Sequence, residues 1–147
     1  MPLSVAVGST VRWPLPRATA ARAARAVLRG EGARHATVSL AFVGARRMRS
    51  LNRAYFGKDR PTDVIAFSFG GQGPSPVLGD VYVCPDVAER NARRFGVQPR
   101  QELLRLIVHG VLHVLGHDHP AGAACSASPM WRRQEQYLRR LGAGVRA

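Results

Sequence analysis

Cysteine is almost missing from this chain: Cys84 and Cys125 are the only two in 147 residues, with no C-x-x-C pair between them. No secretory apolar region stands near the N-terminus either, so a disulfide-stapled secreted scaffold is excluded and a reducing cytoplasm is the expected compartment. Long hydrophobic runs are also lacking. No stretch approaches the roughly 18–20 apolar residues of a membrane-spanning helix, and no membrane partner is expected. Acidic residues are scarce: nine Asp and Glu stand against 22 Lys and Arg, which gives a net charge of +13 and a pI of about 11.6. Lysine is nearly absent as well, Lys58 being the only one. That skew toward arginine fits a GC-rich coding sequence, yet codon bias does not create an excess of positive charge. The charge points to a polyanionic partner such as RNA.

What is present is ordinary globular composition, 46% hydrophobic and 21% charged, which excludes disorder and collagen-like repeats. The chain carries no internal repeat and no linker, so residues 1–147 are read as one domain, long enough to bury roughly 68–70% of its unfolded surface. The first 30 residues hold five arginines and no acid before Glu31, a composition that also suits a mitochondrial presequence. Ala20, Ala24, Val27 and Leu28 nevertheless recur at helical spacing there, which assigns the segment to the domain.

Along the chain, a weak strand is expected within residues 4–14, then a helix from an N-cap at Thr19 to about Arg29. A strand follows over Thr37–Val43, a short helix over Arg46–Tyr55, and strands over Val64–Phe69 and Val77–Cys84, these last two joined by a Gly/Pro-rich hairpin loop. Asp86 is expected to cap a helix running to Phe95, and Gly96 to end it. From Arg100 to Leu115 the apolar stripe is broad enough for a central buried helix. A last helix is expected over Pro129–Leu141. Basic residues in the 46–60 and 90–105 regions are the expected RNA contacts.

Four of the five histidines fall within eleven residues, His109, His113, His117 and His119. His109 and His113 are i and i+4 on the expected central helix, so both rings project from one face and can reach a single ion. Gly116 permits the left-handed turn that ends the helix, after which the chain can fold back and present His119 as a third ligand, with His117 in reserve. Three imidazoles leave a fourth tetrahedral position for water, the arrangement of catalytic zinc, one ion per chain. The spacing H-x3-H-x2-G-x2-H matches the skeleton of the metzincin proteases, but those have glutamate directly after the first histidine. Gly110 stands there instead, so the general base for peptide hydrolysis is missing.

The run His109-Gly110-Val111-Leu112-His113-Val114-Leu115-Gly116-His117-Asp118-His119, followed by Pro120, resembles the signature of the YbeY family, bacterial single-strand-specific endoribonucleases of rRNA maturation. The resemblance extends through Leu51-Asn52, Tyr55, Gly57-Lys58-Asp59, Pro61-Thr62-Asp63-Val64, Leu78-Gly79-Asp80, and Met130 with Glu135. It implies an α+β, zincin-like single domain with a small mixed β-sheet packed on helices and the metal-binding helix central. It also implies zinc-dependent cleavage of single-stranded RNA in maturation of the 16S 3′ end and in ribosome quality control, with the ribosomal small subunit and its proteins as partners. One departure stands out: Phe56 occupies the place of an arginine that the family holds important for activity. Ala66 and Ser68 depart more mildly, from a serine and a proline.

Within that reading His109, His113 and His119 hold the metal, and His117 and Asp118 are the nearest candidates for a general base, Asp118 equally suited to ordering a ligand imidazole. Arg60, Lys58 or Arg53 is expected to supply the phosphate contact that Phe56 lacks, with Arg60 preferred, while the Phe56 ring can stack on a base. Asp80 is a weaker candidate. Two other classes remain open: a ribosome-associated RNA-binding protein of the same fold with weak or lost nuclease activity, favoured by Phe56, and a hydrolase of a small phosphorylated substrate.

Overall fold

The computed structural model describes residues 3–71, 75–117 and 128–142. Four strands, β1 (Leu3–Ser9), β2 (Ala36–Phe42), β3 (Val64–Ser68) and β4 (Val77–Val83), form one sheet in the order β1-β2-β4-β3. β1, β2 and β4 run parallel, and β3 pairs antiparallel with β4 at the edge. The mixture follows from the connections. Parallel neighbours need a long crossover, which helix α1 (Arg17–Gly30) supplies between β1 and β2, whereas the short Gly/Pro segment between β3 and β4 allows only a hairpin. Among the described residues five helices accompany the sheet, with α2 (Ala45–Phe56), α3 (Pro85–Phe95), α4 (Pro99–Val114) and α5 (Pro129–Arg140) following α1. This is the expected small mixed β-sheet packed on helices, with the histidine helix central.

Strict alternation sets the sheet's two faces. Ala36, Val38, Leu40 and Phe42 of β2 are buried while Thr37 and Ser39 are exposed. The inner face packs on α1, through Ala20, Ala23, Ala24, Val27 and Leu28, and on α4. α4 touches α1, α3, α5, β3 and β4, which is why its sequence is apolar on nearly every side. Leu104, Ile107 and Leu112 are each at most 1% exposed, and burying a side chain of that size contributes about 1.5–3 kcal/mol. A smaller cluster, Val43, Met48, Leu51, Ile65 and Cys84, holds α2 against the other face. That helix covers only one end of it.

Two glycines let α4 lie close on the sheet. A Cβ on Gly110 would come 2.5 Å from Val81 Cγ1, and one on Gly79 would come 2.3 Å from Val114 Cγ1. Neither position can hold a larger residue without the helix lifting off. The glycine that removes the protease glutamate is therefore also what seats the histidine helix.

Several local expectations need correction. α1 begins two residues before Thr19, with Pro16 at its N-cap and no side-chain cap. The rigid φ of proline already suits a helix entrance, so Thr19 is not needed there. Asp86 does not cap α3 either: Cys84 is the N-cap, Pro85 opens the helix, and Asp86 sits in the first turn, where its charge favours the helix dipole. Strand β1 stops at Ser9, well short of Pro14.

Candidate functional site

The end of α4 is built for a precise exit. Gly116 has φ 95°, its N–H donates to His113 O at 3.0 Å, and His117 N–H donates to Leu112 O at 3.0 Å. These are the paired bonds of a Schellman stop, as the glycine predicts. One turn earlier, the rings of His109 and His113 meet with their Nε2 atoms 3.0 Å apart. The other nitrogen of His109, Nδ1, lies 2.7 Å from Gln134 Oε1 on α5. An amide oxygen only accepts, so this contact assigns the proton to Nδ1 and leaves Nε2 of His109 with its lone pair.

Gln134 is itself held. Its Nε2 donates to Glu135 Oε2 at 3.1 Å, and Arg105 donates to both Glu135 oxygens, at 3.2 and 3.4 Å, and to Glu102 at 3.1 Å. Arg105, expected among the RNA-facing cations, is instead buried as the centre of an ion triad that joins α4 to α5. The chain buries it because two carboxylates and the guanidinium satisfy one another. Burial pushes the Glu102 carboxyl above its ordinary range, with Arg105 pulling the other way. Arg93 likewise pairs with Glu89.

The histidine pair opens into a groove of about 570 Å³ lined by Asn52, Phe56, Lys58, Thr62–Ala66, His109, Gly110 and His113. Its rim is the end of α2 and the turn into β3. Asn52 fixes that turn by donating to Arg60 O at 2.9 Å, and Arg49 pairs with Asp59 at 2.8 Å. Asp63 braces the wall, accepting from Val64 N–H at 2.8 Å and from Asn91 at 3.1 Å. Of the candidate cations, Lys58 lines the groove, while the preferred Arg60 gives the site its backbone carbonyl and is itself exposed. Ser68 takes up the C-terminal end of α4, its hydroxyl 3.0 Å from Val114 O. A second cavity of about 540 Å³ is also lined by His109 and Asp63, together with Phe95, Glu102, Arg105, Trp131 and Gln134.

His117 is engaged elsewhere. Its Nε2 lies 2.6 Å from Glu31 Oε1, and Tyr137 OH donates to Glu31 Oε2 at 2.5 Å, with Arg133 3.4 Å from the same oxygen. Burial alone would raise the Glu31 pKa; the bonds from Tyr137 and His117 and the Arg133 charge outweigh it and hold the carboxyl below its usual range. Burial, with Glu31 beside it, pushes the Tyr137 hydroxyl up to about 12. Asp80 is a correction. Since Gly79 faces α4, its neighbour in the strand points to the opposite side of the sheet, away from the histidines. Asp118 and His119 lie outside the described residues, and among the described residues no three His, Cys, Asp or Glu side chains group as metal ligands. Sequence reasoning missed Gln134 and Glu31: Gln134 lies on α5, the helix after the histidine run, and Glu31 is the C-cap just past α1, far from that run in sequence.

The fold and groove define a small α/β protein whose central helix presents paired imidazoles to a cleft with a basic rim. The family model described as "Endoribonuclease YbeY" matches residues 14–142. A protein of that name from Chlorobium luteolum is 36% identical over 139 residues, covering 95% of this chain and 98% of its own. One from Pelotomaculum thermopropionicum is 41% identical over 127 residues, 82% of each chain. The solution structure of TM1509 from Thermotoga maritima superposes with a TM-score of 0.68 at 28% identity, covering 93% of this chain and 88% of that one. The chain belongs to the YbeY endoribonuclease family.

Proposed function

We propose that this chain is a zinc-dependent, single-strand-specific endoribonuclease acting on ribosomal RNA, in maturation of the 16S 3′ end and in ribosome quality control. The carrying observation is the pair of His109 and His113 Nε2 atoms, 3.0 Å apart on the wall of the groove. Two imidazoles on one tetrahedral zinc, with bonds of ~2.0–2.1 Å, have nitrogens about 3.3 Å apart, so the pair fits the ion with a small adjustment. The proton assigned to His109 Nδ1 supports the same reading, because a ligand imidazole usually donates its other N–H. His109, His113 and His119 would hold the ion, which when bound supplies a water of pKa about 7 and positive charge beside the scissile phosphate.

The chain's own residues do the rest. Lys58 contacts the phosphate from the rim, with Arg60 a longer reach behind it. Asn52 and Asp63 keep that rim in shape. Asp118 is assigned to ordering a ligand imidazole. His117, with Nε2 bound to Glu31, acts as a positioning residue that pins the chain just before Asp118 and His119. The net charge of +13 supplies affinity for single-stranded RNA and for the ribosomal small subunit. No helix among the described residues is long and apolar enough to cross a membrane, and a cytoplasmic location is part of the proposal.

Metal analysis combined with cleavage of a single-stranded RNA tests the reading. One zinc per chain, cleavage lost on chelation and restored by zinc, and zinc lost in His113→Ala are the expected results. Phe56, in the family's arginine position, favours one second reading, an RNA-binding protein with little nuclease activity. A zinc-loaded protein that binds RNA and leaves it intact would establish that reading instead. Affinity should fall with salt, log K dropping by about 0.7 per phosphate neutralised for each unit of log salt.

A further inference from the structure

Four large aromatic rings gather where α2 ends over β3. Phe56 and Phe67 have centroids 6.3 Å apart and planes within 13°, and Phe67 and Phe69 are 6.3 Å apart within 22°. Tyr55 meets Phe67 edge-on at 4.9 Å. Three of them remain largely in solvent, Tyr55 64%, Phe56 53% and Phe69 63% exposed, around a half-buried Phe67 that seats the group on the sheet. The neighbouring Leu78, across the ladder from Phe69, is exposed too. A contiguous apolar patch of this kind marks a binding surface.

We propose that Phe56, Phe67 and Phe69 form a stacking platform for unpaired bases, carrying a single nucleic-acid strand from the outer sheet face to the histidine groove. The inference rests on the endoribonuclease reading and adds how the strand is held and why it must be single. Three observations select the occupant. The rings are near-parallel, as a surface for flat bases requires. Six basic residues and a single acid, Asp59, lie between positions 45 and 60, on the helix and turn that carry Tyr55 and Phe56, so the patch suits an anionic ligand. The same balance repels a second copy of this chain, whose net charge is +13. Phe56 also lines the groove with His109 and His113, so a base on that ring leaves its neighbouring phosphate at the groove's mouth. In a duplex both base faces are covered by neighbouring pairs and are closed to such a platform. Position 56 therefore holds the strand by a base face where an arginine would hold it by a phosphate.

The test uses the whole protein and fluorescence anisotropy at physiological salt. The probes are a deoxyoligoadenylate 12-mer, an abasic 12-mer of equal charge, and a 12-base-pair duplex. The wild type should bind the single strand at least about fivefold tighter than the abasic strand, and tighter than the duplex. Phe69→Ala should lose about 5- to 150-fold on oligoadenylate, the range of one stacked base, with little change on the abasic strand, and Phe69→Trp should restore binding. Equal wild-type affinity for the abasic and base-bearing strands would overturn the proposal without recourse to any variant. So would Phe69→Ala binding oligoadenylate as the wild type does, which would leave the patch to a protein partner. RNA cleavage is scored separately: its absence with base-dependent binding intact defeats the nuclease reading and spares the platform, and the reverse result does the opposite.

Discussion

Gly110→Ala sets two physical terms against each other at the point where the site depends on the fold. In an isolated helix the change would stabilise by about 0.8–1.0 kcal/mol, since alanine is the better helix former. Here the added methyl would lie 2.5 Å from Val81 Cγ1 and 3.3 Å from Val64 Cγ2. Carbon atoms pack best at about 3.5–4.0 Å, so one partner must retreat by roughly 1 Å. Val81 is fully buried in a central strand, between β2 and β3, so any retreat pushes on packed neighbours. Overpacking of this kind costs about 1–3 kcal/mol. The crowding term should win by up to about 2 kcal/mol, lowering Tm by several degrees at about 2–4 °C per kcal/mol for a chain of this size. The helix that shifts also carries His109 and His113, so zinc affinity should fall with stability. Urea unfolding and zinc titration read both effects. Val81→Ala makes room for the methyl, so the Gly110→Ala/Val81→Ala pair should be more stable than the sum of the single changes by about 0.5 kcal/mol or more. A Gly110→Ala protein more stable than wild type, or a strictly additive pair, would refute the close-approach argument.

Glu31→Ala strips Tyr137 and His117 of a shared acceptor and should cost about 1–3 kcal/mol in chemical unfolding. The Glu31 carboxyl is held below its ordinary value of 4.5, so its contribution is complete above that pH and is lost as pH falls through the lower folded value. The stability gap between Glu31→Ala and wild type should therefore narrow below about pH 4.5, and a gap that widens on acidification would contradict the assignment. Gln134→Leu removes the acceptor for His109 Nδ1 and should weaken zinc binding by about 10- to 100-fold in a competition titration, while Gln134→Glu should retain it. Lys58→Ala should lower single-turnover RNA cleavage by about tenfold or more, with Arg60→Ala having the smaller effect, because Lys58 is the cation lining the groove. The opposite order would return the phosphate contact to Arg60.

The sequence alone determined everything that depends on local spacing. Alternation in Ala36–Phe42 and the stripe from Leu103 to Leu115 specify a strand and a buried helix whatever surrounds them, and i, i+4 spacing puts His109 and His113 on one face. Gly116 announced its own turn, because few other residues accept a positive φ. Helix starts were less legible, since Pro16 and Cys84 carry no hydrogen-bonding cap for a pattern to find. The tertiary structure alone decided which side chains the site would borrow. Gln134 reaches His109 across 25 positions and Glu31 reaches His117 across 86, and no periodicity within one element encodes such a pairing. It also decided which charges are spent inside: Arg105 reads as one more cation in a basic chain until α5 brings Glu135 against it. Gly110 joins the two levels. Its sequence shows only that a protease glutamate is missing, and the crossing of α4 over Val81 supplies the reason, since any side chain there would push the histidine helix off the sheet.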